Sequence, residues 1–206
     1  MISLELTSIS KTYNGRHILR DVCCAAASGQ VLGILGANGS GKSTLIKLIA
    51  GVVRADAGQI SCILDGTNLD ASKRRSSCGL VGPYLSLYEE FTPREHLHLH
   101  AKLHGTTCSD AHVTQTLATV QIEHRADDRI ATFSSGMKQR VALACASVLA
   151  PPLLLLDEPG STLDEAGRAI CETIIREQQQ RGGITLLATN DERELHLCTH
   201  TFRIPS

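Results

Sequence analysis

Hydrophobic and polar positions follow different periods in different parts of the chain. In the first thirty residues they alternate on both sides of the turn Asn14-Gly15, which predicts a small antiparallel sheet. Between residues 83 and 150 the hydrophobic residues recur instead at spacings of three and four, which is typical of helices with one buried face. This second pattern predicts three helices, at 93–104, 109–120 and 136–150.

Short, uniformly hydrophobic runs elsewhere predict buried parallel strands. Such runs lie at 31–35, 153–156 and 184–188, and each neighbours a stretch of helical period. We therefore expect an α/β fold whose core has a mostly parallel central sheet. An N-terminal antiparallel β subdomain precedes this core, and a helical subdomain is inserted at about 83–150. All 206 residues are expected to form this single domain.

The turn after the first hydrophobic run has the pattern G-x-x-x-x-G-K-[ST], between a predicted strand and a predicted helix. Its glycines let backbone N–H groups turn inward around a polyphosphate, and the helix N-terminus adds positive potential. Lys42 is expected to reach the β- and γ-phosphates of a nucleotide, and the Ser43 hydroxyl to bind Mg²⁺. The predicted binding residues are Gly36, Ala37, Asn38, Gly39, Ser40, Gly41, Lys42, Ser43 and Thr44.

Two adjacent acids follow the four leucines at 153–156. Because carboxyl ends of parallel strands meet at one edge of a sheet, these acids are expected to face the phosphate loop. Asp157 suits a direct or water-mediated contact with Mg²⁺, and Glu158 suits the role of general base on the attacking water. Together with Lys42 and the phosphate loop, they predict a nucleotidase site that uses Mg²⁺, in the core of a P-loop NTPase.

A third motif, Ser134-Ser135-Gly136-Met137-Lys138-Gln139, lies about twenty residues before Asp157. The order of phosphate loop, helical insert, signature motif and acid-ended strand resembles that of the ATP-binding cassette (ABC) ATPases, over essentially the whole chain. The resemblance implies that two cassettes clamp two ATP molecules head to tail. Ser134, Ser135 and Gly136 would then contact the γ-phosphate held by the opposite phosphate loop, at a helix N-terminus that attracts anions.

Two further residues take roles through this resemblance. Tyr13 lies where the family stacks an aromatic ring on adenine, although a tyrosine packed at the end of a strand is an alternative. Asp164 matches the acid of the loop that signals across the dimer. Both residues are therefore expected near a nucleotide or near a second cassette.

Three positions depart from the family pattern. Pro83 replaces a glutamine and offers no side-chain oxygen, so metal coordination is expected to depend more on Ser43, Asp157 and water. Asn190 replaces a histidine, and Met137 replaces the glutamine that usually ends the signature. Asn190 can still donate an N–H to the γ-phosphate but cannot carry a proton, so hydrolysis is expected to be slower.

The resemblance implies an ATP-binding and ATP-hydrolysing subunit of an ABC transporter, similar in size to the short cassettes of exporters. Pairing with a second cassette, identical or different, would drive a separate integral membrane permease. The chain would be cytoplasmic and peripheral at the inner face of the cell membrane, with no appended regulatory domain. The alternative is a soluble or regulatory ABC ATPase with slow turnover that is not part of a transporter.

The permease is expected to dock at the segment 84–91, where the family receives a helix of the membrane subunit. The predicted docking residues are Tyr84, Leu85, Leu87 and Tyr88. The alternative is that these side chains pack within their own subdomain.

Charge and hydropathy exclude other classes of partner. The chain has 20 basic and 21 acidic residues, so no broad positive field attracts nucleic acid or anionic lipid. The one compact basic cluster, Lys73-Arg74-Arg75, is expected to be a solvated loop. The longest hydrophobic region, 141–156, is interrupted by Pro151-Pro152 and is too short to span a bilayer. The first residues also lack the pattern of a secretion signal.

Cysteine and histidine positions suggest packing rather than metal binding. The eight cysteines show no C-x-x-C spacing and are expected to be reduced core residues. His96, His100 and His104 share one side of a predicted helix with neighbouring leucines, so packing is favoured over a metal or pH-sensing site.

Overall fold

Two sheets organise the fold in a computed structural model that describes residues 1–205. The first is antiparallel, with strand order β2-β1-β4-β5. Its strands are β1 (Ile2–Tyr13), β2 (Arg16–Ala27), β4 (Ala57–Leu64) and β5 (Thr67–Asn68). The β1–β2 hairpin turns at Asn14 and Gly15, whose φ angles of 50° and 75° suit a tight hairpin turn. The predicted N-terminal antiparallel sheet is confirmed.

The second sheet is parallel throughout and has the order β6-β7-β8-β3-β9. Its strands are β3 (Val31–Leu35), β6 (Cys78–Val81), β7 (Leu153–Asp157), β8 (Ile184–Ala188) and β9 (His200–Arg203). Strands β7 and β8 are buried along their whole length, which explains their unbroken hydrophobic sequences. The loops that follow β3, β7 and β8 therefore meet at one edge of this sheet.

Six α-helices accompany the sheets within the described residues. They are α1 (Lys42–Ile49), α2 (Ala71–Ser76), α3 (Pro93–Leu103), α4 (Asp110–Thr119), α5 (Ser135–Ser147) and α6 (Glu165–Gln180). Short 3-10 helices cover Glu123–Arg125, Ile130–Thr132 and Glu192–Leu197. The side chains of Thr92, Ser109 and Ser134 accept a backbone N–H at the starts of α3, α4 and α5, which fixes where each helix begins.

Two hydrophobic cores lie on opposite faces of the parallel sheet. Leu153 and Leu155 of β7 join the core shared with the antiparallel sheet and α1. Leu154 and Leu156 join the core shared with α3, α4, α5 and α6. This alternation follows from the two-residue period of a strand, and it fixes β7 between the two layers.

Two sequence-based predictions about polar and thiol side chains are wrong in part. The basic cluster at 73–75 is not a solvated loop, because it lies in α2 and the Arg74 guanidinium is buried. Its Nε donates to Ile49 O at 3.0 Å and its Nη1 to Leu69 O at 3.1 Å, which satisfies a carbonyl at the end of α1. Among the cysteines, all of which are free thiols, Cys23 is exposed rather than in a core.

No helix among residues 1–205 is both long and hydrophobic enough to cross a membrane.

Candidate active site

The phosphate loop, residues 36–44, joins β3 to the start of α1. Gly39 and Gly41 have φ angles of 79° and 103°, in the left-handed region that favours glycine. A Cβ on Gly36 would approach Ser40 Oγ at 2.3 Å, so the loop can fold back tightly only with glycine there. The loop is therefore shaped as a cradle of backbone amides at a helix N-terminus.

Lys42 lies inside this cradle, with 5% of its side chain exposed. Its Nζ donates to Gly36 O at 2.8 Å, Ala37 O at 3.3 Å and Asn190 Oδ1 at 3.1 Å. Glu158 Oε1 is 3.9 Å from the same nitrogen. A buried ammonium surrounded by carbonyl oxygens can exchange these partners for phosphate oxygens, which carry full negative charge.

Asn190 connects the residues after β8 to the phosphate loop. While its Oδ1 accepts from Lys42, its Nδ2 donates to Asn38 Oδ1 at 2.5 Å. The amide therefore bridges the loop and the lysine across the mouth of the cradle.

Asp157 ends β7 and is 1% exposed. Neither of its carboxylate oxygens has a hydrogen-bond partner within residues 1–205. Burial raises the pKa of Asp157, while the facing Ser43 hydroxyl acts in the opposite direction. Buried charges normally have a partner, so a carboxylate without one, beside a hydroxyl, fits a hard cation with oxygen ligands such as Mg²⁺.

The backbone of Glu158 lies in the left-handed region, with a φ of 50° that residues other than glycine rarely adopt. Its N–H donates to Ala188 O at 2.8 Å, which ties the residue to β8. Its side chain is 41% exposed and reaches within 3.9 Å of Lys42 Nζ. The strained backbone turns the carboxylate out of the sheet and toward the phosphate loop.

One cleft of about 390 Å³ brings together the phosphate loop and residues from distant parts of the chain; we name it the phosphate-loop cleft. Besides the loop, it is lined by Tyr13, Ile18, Pro83 and Glu158. Tyr13 is 43% exposed at the end of β1, so its ring is accessible from this cleft.

The signature residues line a different cavity, of about 410 Å³, which we name the signature cleft. Ser134, Ser135 and Gly136 line it together with Arg140 and Asp164. Asp164 accepts from Gly167 N at 2.8 Å and pairs with Arg140 at the same distance, and these contacts lower its pKa. The described chain therefore does not bring Ser134 or Gly136 into the phosphate-loop cleft.

Gln139 is a site residue to which sequence reasoning assigned no role. Its Nε2 donates to Pro159 O at 2.9 Å, which attaches the signature helix α5 to the loop directly after Glu158. The contact joins residues twenty positions apart, and a hydrophobic pattern gives no signal for it. Its position within the signature motif was the available clue.

The predicted docking segment is only partly exposed. Leu85 and Tyr88 are 49% and 57% exposed, and Phe91 is 37% exposed. The prediction is wrong for Leu87, which packs against the core of the helical region. It is also wrong for Tyr84, whose hydroxyl is buried because the adjoining Gly82 has no side chain to displace the ring.

The histidine row contacts protein groups. His96 Nε2 accepts from Tyr88 N at 3.1 Å, and its Nδ1 lies 3.5 Å from Cys145 Sγ. Burial lowers the pKa of His96, and it lowers that of His100 to about 4. Residues 1–205 contain no group of three or more His, Cys, Asp or Glu side chains arranged to hold a metal ion.

A glycine-rich loop between strand and helix, with an acid pair at the end of another strand of the same parallel sheet, defines a P-loop nucleotide-binding domain. The family model described as "ABC transporter" matches residues 19–161. The chain belongs to this family, as the order of its motifs predicted, and the predicted fold is likewise confirmed.

Known relatives are similar over most of this chain. The Nod factor export ATP-binding protein I of Sinorhizobium fredii (strain NBRC 101917 / NGR234) is 34% identical over 92% of this chain and 56% of its own length. The linearmycin resistance ATP-binding protein LnrL of Bacillus subtilis (strain 168) is 33% identical over 93% of this chain and 62% of its own length. The chain therefore spans about three fifths of the length of these two relatives.

A solved structure described as an ATP-binding subunit of an ABC transporter has a TM-score of 0.85 and 32% identity. It covers 98% of this chain, which in turn covers 85% of that structure.

Proposed function

We propose that this chain binds and hydrolyses ATP as the nucleotide-binding subunit of an ABC transporter. The observation that carries the proposal is the convergence of three charged side chains at one edge of the parallel sheet. Lys42 is buried in the phosphate loop, Glu158 lies 3.9 Å from its ammonium, and Asp157 is buried facing the Ser43 hydroxyl. This combination suits a polyphosphate, a metal ion and an attacking water.

Binding would begin with an exchange of partners at Lys42. The loop amides would receive the phosphates, and Nζ would leave Gly36 O and Ala37 O for phosphate oxygens. Asn190 would at the same time release Lys42 and Asn38. Tyr13 would offer its exposed ring to the adenine face.

Ser43 and Asp157 would hold Mg²⁺, through the hydroxyl oxygen and through the carboxylate directly or by way of water. When bound, the ion supplies electrostatic stabilisation of the charge that develops on the phosphate oxygens. Asp157 would then gain a partner for the negative charge that the fold buries. Ordering the two oxygen ligands in advance lowers the cost of binding.

Hydrolysis would use Glu158 as general base, with a carboxylate oxygen accepting a proton from the attacking water. Asn190 would donate its amide N–H to a γ-phosphate oxygen. Because an amide cannot carry a proton or a positive charge, we expect turnover slower by something like 10–10³-fold than with a protonatable donor.

The separation of the two clefts supports a composite site. Ser134, Ser135 and Gly136 form the start of α5, which attracts anions, but they line the signature cleft. A second cassette, identical or different, would supply its own signature to the phosphate-loop cleft of this one. ATP would then bridge the two chains, and hydrolysis would release them.

The exposed residues Leu85, Tyr88 and Phe91 support docking of a membrane permease. They form an apolar patch in which the Tyr88 and Phe91 ring centroids are 5.7 Å apart. The two relatives named for export and resistance favour an exporter. The cassette would thus lie in the cytoplasm, at the inner face of the cell membrane, bound to its permease.

A second candidate is a regulatory cassette that closes on ATP with little turnover. Pro83 favours it, because proline offers no oxygen to the metal, and Asn190 favours it through the loss of a protonatable donor. Co-purification of a polytopic membrane protein after mild detergent extraction supports the transporter, and its absence supports the regulatory cassette.

Phosphate release by the purified protein tests the proposed activity. We expect Mg²⁺-dependent release that is lost in Lys42→Ala and in Glu158→Gln. The matched control is Glu165→Gln, an exposed acid in the first turn of α6. Equal rates in the wild type and both site variants would overturn the proposal.

A further inference from the structure

Tyr84 has a buried polar atom for which the described residues provide no partner. Its hydroxyl makes no hydrogen bond within residues 1–205. The ring is nevertheless firmly placed. The Lys47 ammonium lies 3.7 Å from the ring centroid, and the ring folds back on Gly82, where an added Cβ would lie 3.1 Å from Oη. The hydroxyl therefore points in a fixed direction, at the end of β6.

The same place in the fold holds the unpartnered carboxylate of Asp157. Val81 of β6 pairs with Leu156 of β7, and Gly82 and Asp157 are the next residues of the two strands. Because Tyr84 folds back on Gly82, its hydroxyl is brought to the edge where Asp157 lies. Burial raises the pKa of Tyr84, and the neighbouring Asp157 carboxylate raises it further.

Two buried polar groups without partners, on adjoining strands, imply a third group that both can contact. Buried polar atoms in folded proteins are almost always hydrogen-bonded. A phenol can donate one hydrogen bond and accept another, while an ionised carboxylate only accepts. The water shell of a Mg²⁺ ion supplies donors, and Mg²⁺ commonly retains several waters. Pro83, beside them, has no polar side-chain atom to compete for this position.

We propose that Tyr84 is a positioning residue for the hydrated Mg²⁺ of the bound nucleotide. Its hydroxyl accepts one hydrogen of a metal-bound water, whose other hydrogen is donated to the Asp157 carboxylate. The role rests on the proposed ATP binding and deepens it, since it assigns to Tyr84 a contact that Pro83 cannot make. Lys47, stacked on the ring, holds the phenol in place.

Nucleotide affinity with and without metal tests this role. The affinity for the slowly hydrolysed analogue AMP-PNP is measured by calorimetry in EDTA and in Mg²⁺, for the wild type, Tyr84→Phe and Tyr88→Phe. Tyr88 is the matched control because its ring is 57% exposed. We expect Tyr84→Phe to bind AMP-PNP in EDTA as tightly as the wild type does. The increase in affinity that Mg²⁺ causes should be about tenfold smaller than in the wild type, as for other residues that orient metal ligands. Tyr88→Phe should behave as wild type.

Thermal unfolding of the same variants separates this role from packing. Phenylalanine keeps the ring over Lys47 and removes only the unpartnered hydroxyl, so the midpoint of Tyr84→Phe should equal or exceed that of the wild type. An unchanged Mg²⁺ gain in Tyr84→Phe would overturn the role of Tyr84 while leaving ATP binding intact. A lowered midpoint with weaker binding in EDTA would also overturn it, since that result indicates packing alone. A wild type that binds no nucleotide would overturn both proposals.

Discussion

Replacing Asp157 by asparagine separates stability from metal binding. The fold buries this carboxylate almost completely and gives neither oxygen a hydrogen-bond partner. Asparagine has nearly the same shape but no charge. Without nucleotide and metal, Asp157→Asn should therefore be more stable than the wild type, because it removes a negative charge whose burial outweighs the favourable effects of Ser43, Lys42 and Lys47.

The magnitude follows from the cost of an unsatisfied buried group. Such a group costs about 1–3 kcal/mol, and more when charged, while an unpaired amide retains part of that cost. A net gain of about 1–2 kcal/mol corresponds to a rise of about 2–8 °C in the unfolding midpoint for a domain of this size. With Mg²⁺ and AMP-PNP the order should reverse, since a carboxylate binds the metal more strongly than a neutral amide does.

Thermal unfolding followed by circular dichroism measures both effects, in EDTA and then in Mg²⁺ with the nucleotide analogue. Asp21→Asn is the matched control, because Asp21 is exposed and asparagine tolerates its φ of 47°. Its midpoint should not change. A midpoint for Asp157→Asn that equals or falls below that of the wild type in EDTA would refute the account of an incompletely compensated carboxylate. Equal stabilisation of the two proteins by Mg²⁺ with nucleotide would refute its role at the metal.

Three further predictions concern other parts of the molecule. Asn190→His should raise the rate of phosphate release by about tenfold, because it restores a protonatable donor. An unchanged or lower rate would contradict the claim that Asn190 slows hydrolysis. Burial holds the pKa of His100 at about 4, below its ordinary 6.5, so the stability it contributes is complete above pH 6.5 and declines as the pH falls toward 4. Urea unfolding at pH 7 and pH 4.5 should show a smaller loss of stability for His100→Gln than for the wild type, and equal losses would count against this cause. Arg74→Met should lower the free energy of unfolding by about 2–4 kcal/mol because it leaves carbonyls such as Ile49 O unpaired. In the same urea experiment exposed Lys73→Met should change it by less than about 0.5 kcal/mol, and similar effects of the two substitutions would refute the argument.

The parts of the site that the sequence predicted are those encoded in contiguous motifs. The cradle around Lys42 needs glycines at fixed spacings between a strand and a helix, and Asp157 directly follows a run of leucines that is typical of a buried parallel strand. Each of these features is therefore encoded within about ten consecutive residues. The alternation of the leucines between the two cores was likewise implicit in the strand period.

Other features depend on residues far apart in sequence and had no local signal. Arg74 is buried because α1 ends 25 residues earlier with carbonyls that need donors. Tyr84 resembles an exposed docking residue in sequence, and it turns inward because Gly82 leaves space and Lys47 lies across the ring. Leu85 and Leu87 are the same residue type, two positions apart in one loop, yet only Leu87 packs against the core of the helical region. The spacing of hydrophobic residues along the chain indicates which side chains can be buried. Contacts between residues far apart in sequence determine which of them are buried in the fold.

ATP-dependent association of two cassettes is the most direct test of the account. Light scattering is measured on Glu158→Gln with ATP and Mg²⁺, alone and with any cassette that co-purifies with it, and Lys42→Ala serves as the variant that should not respond. The account predicts a complex of two cassettes that appears only with nucleotide, because each phosphate loop needs a signature from another chain. A mass that stays at that of one chain under all these conditions would contradict it.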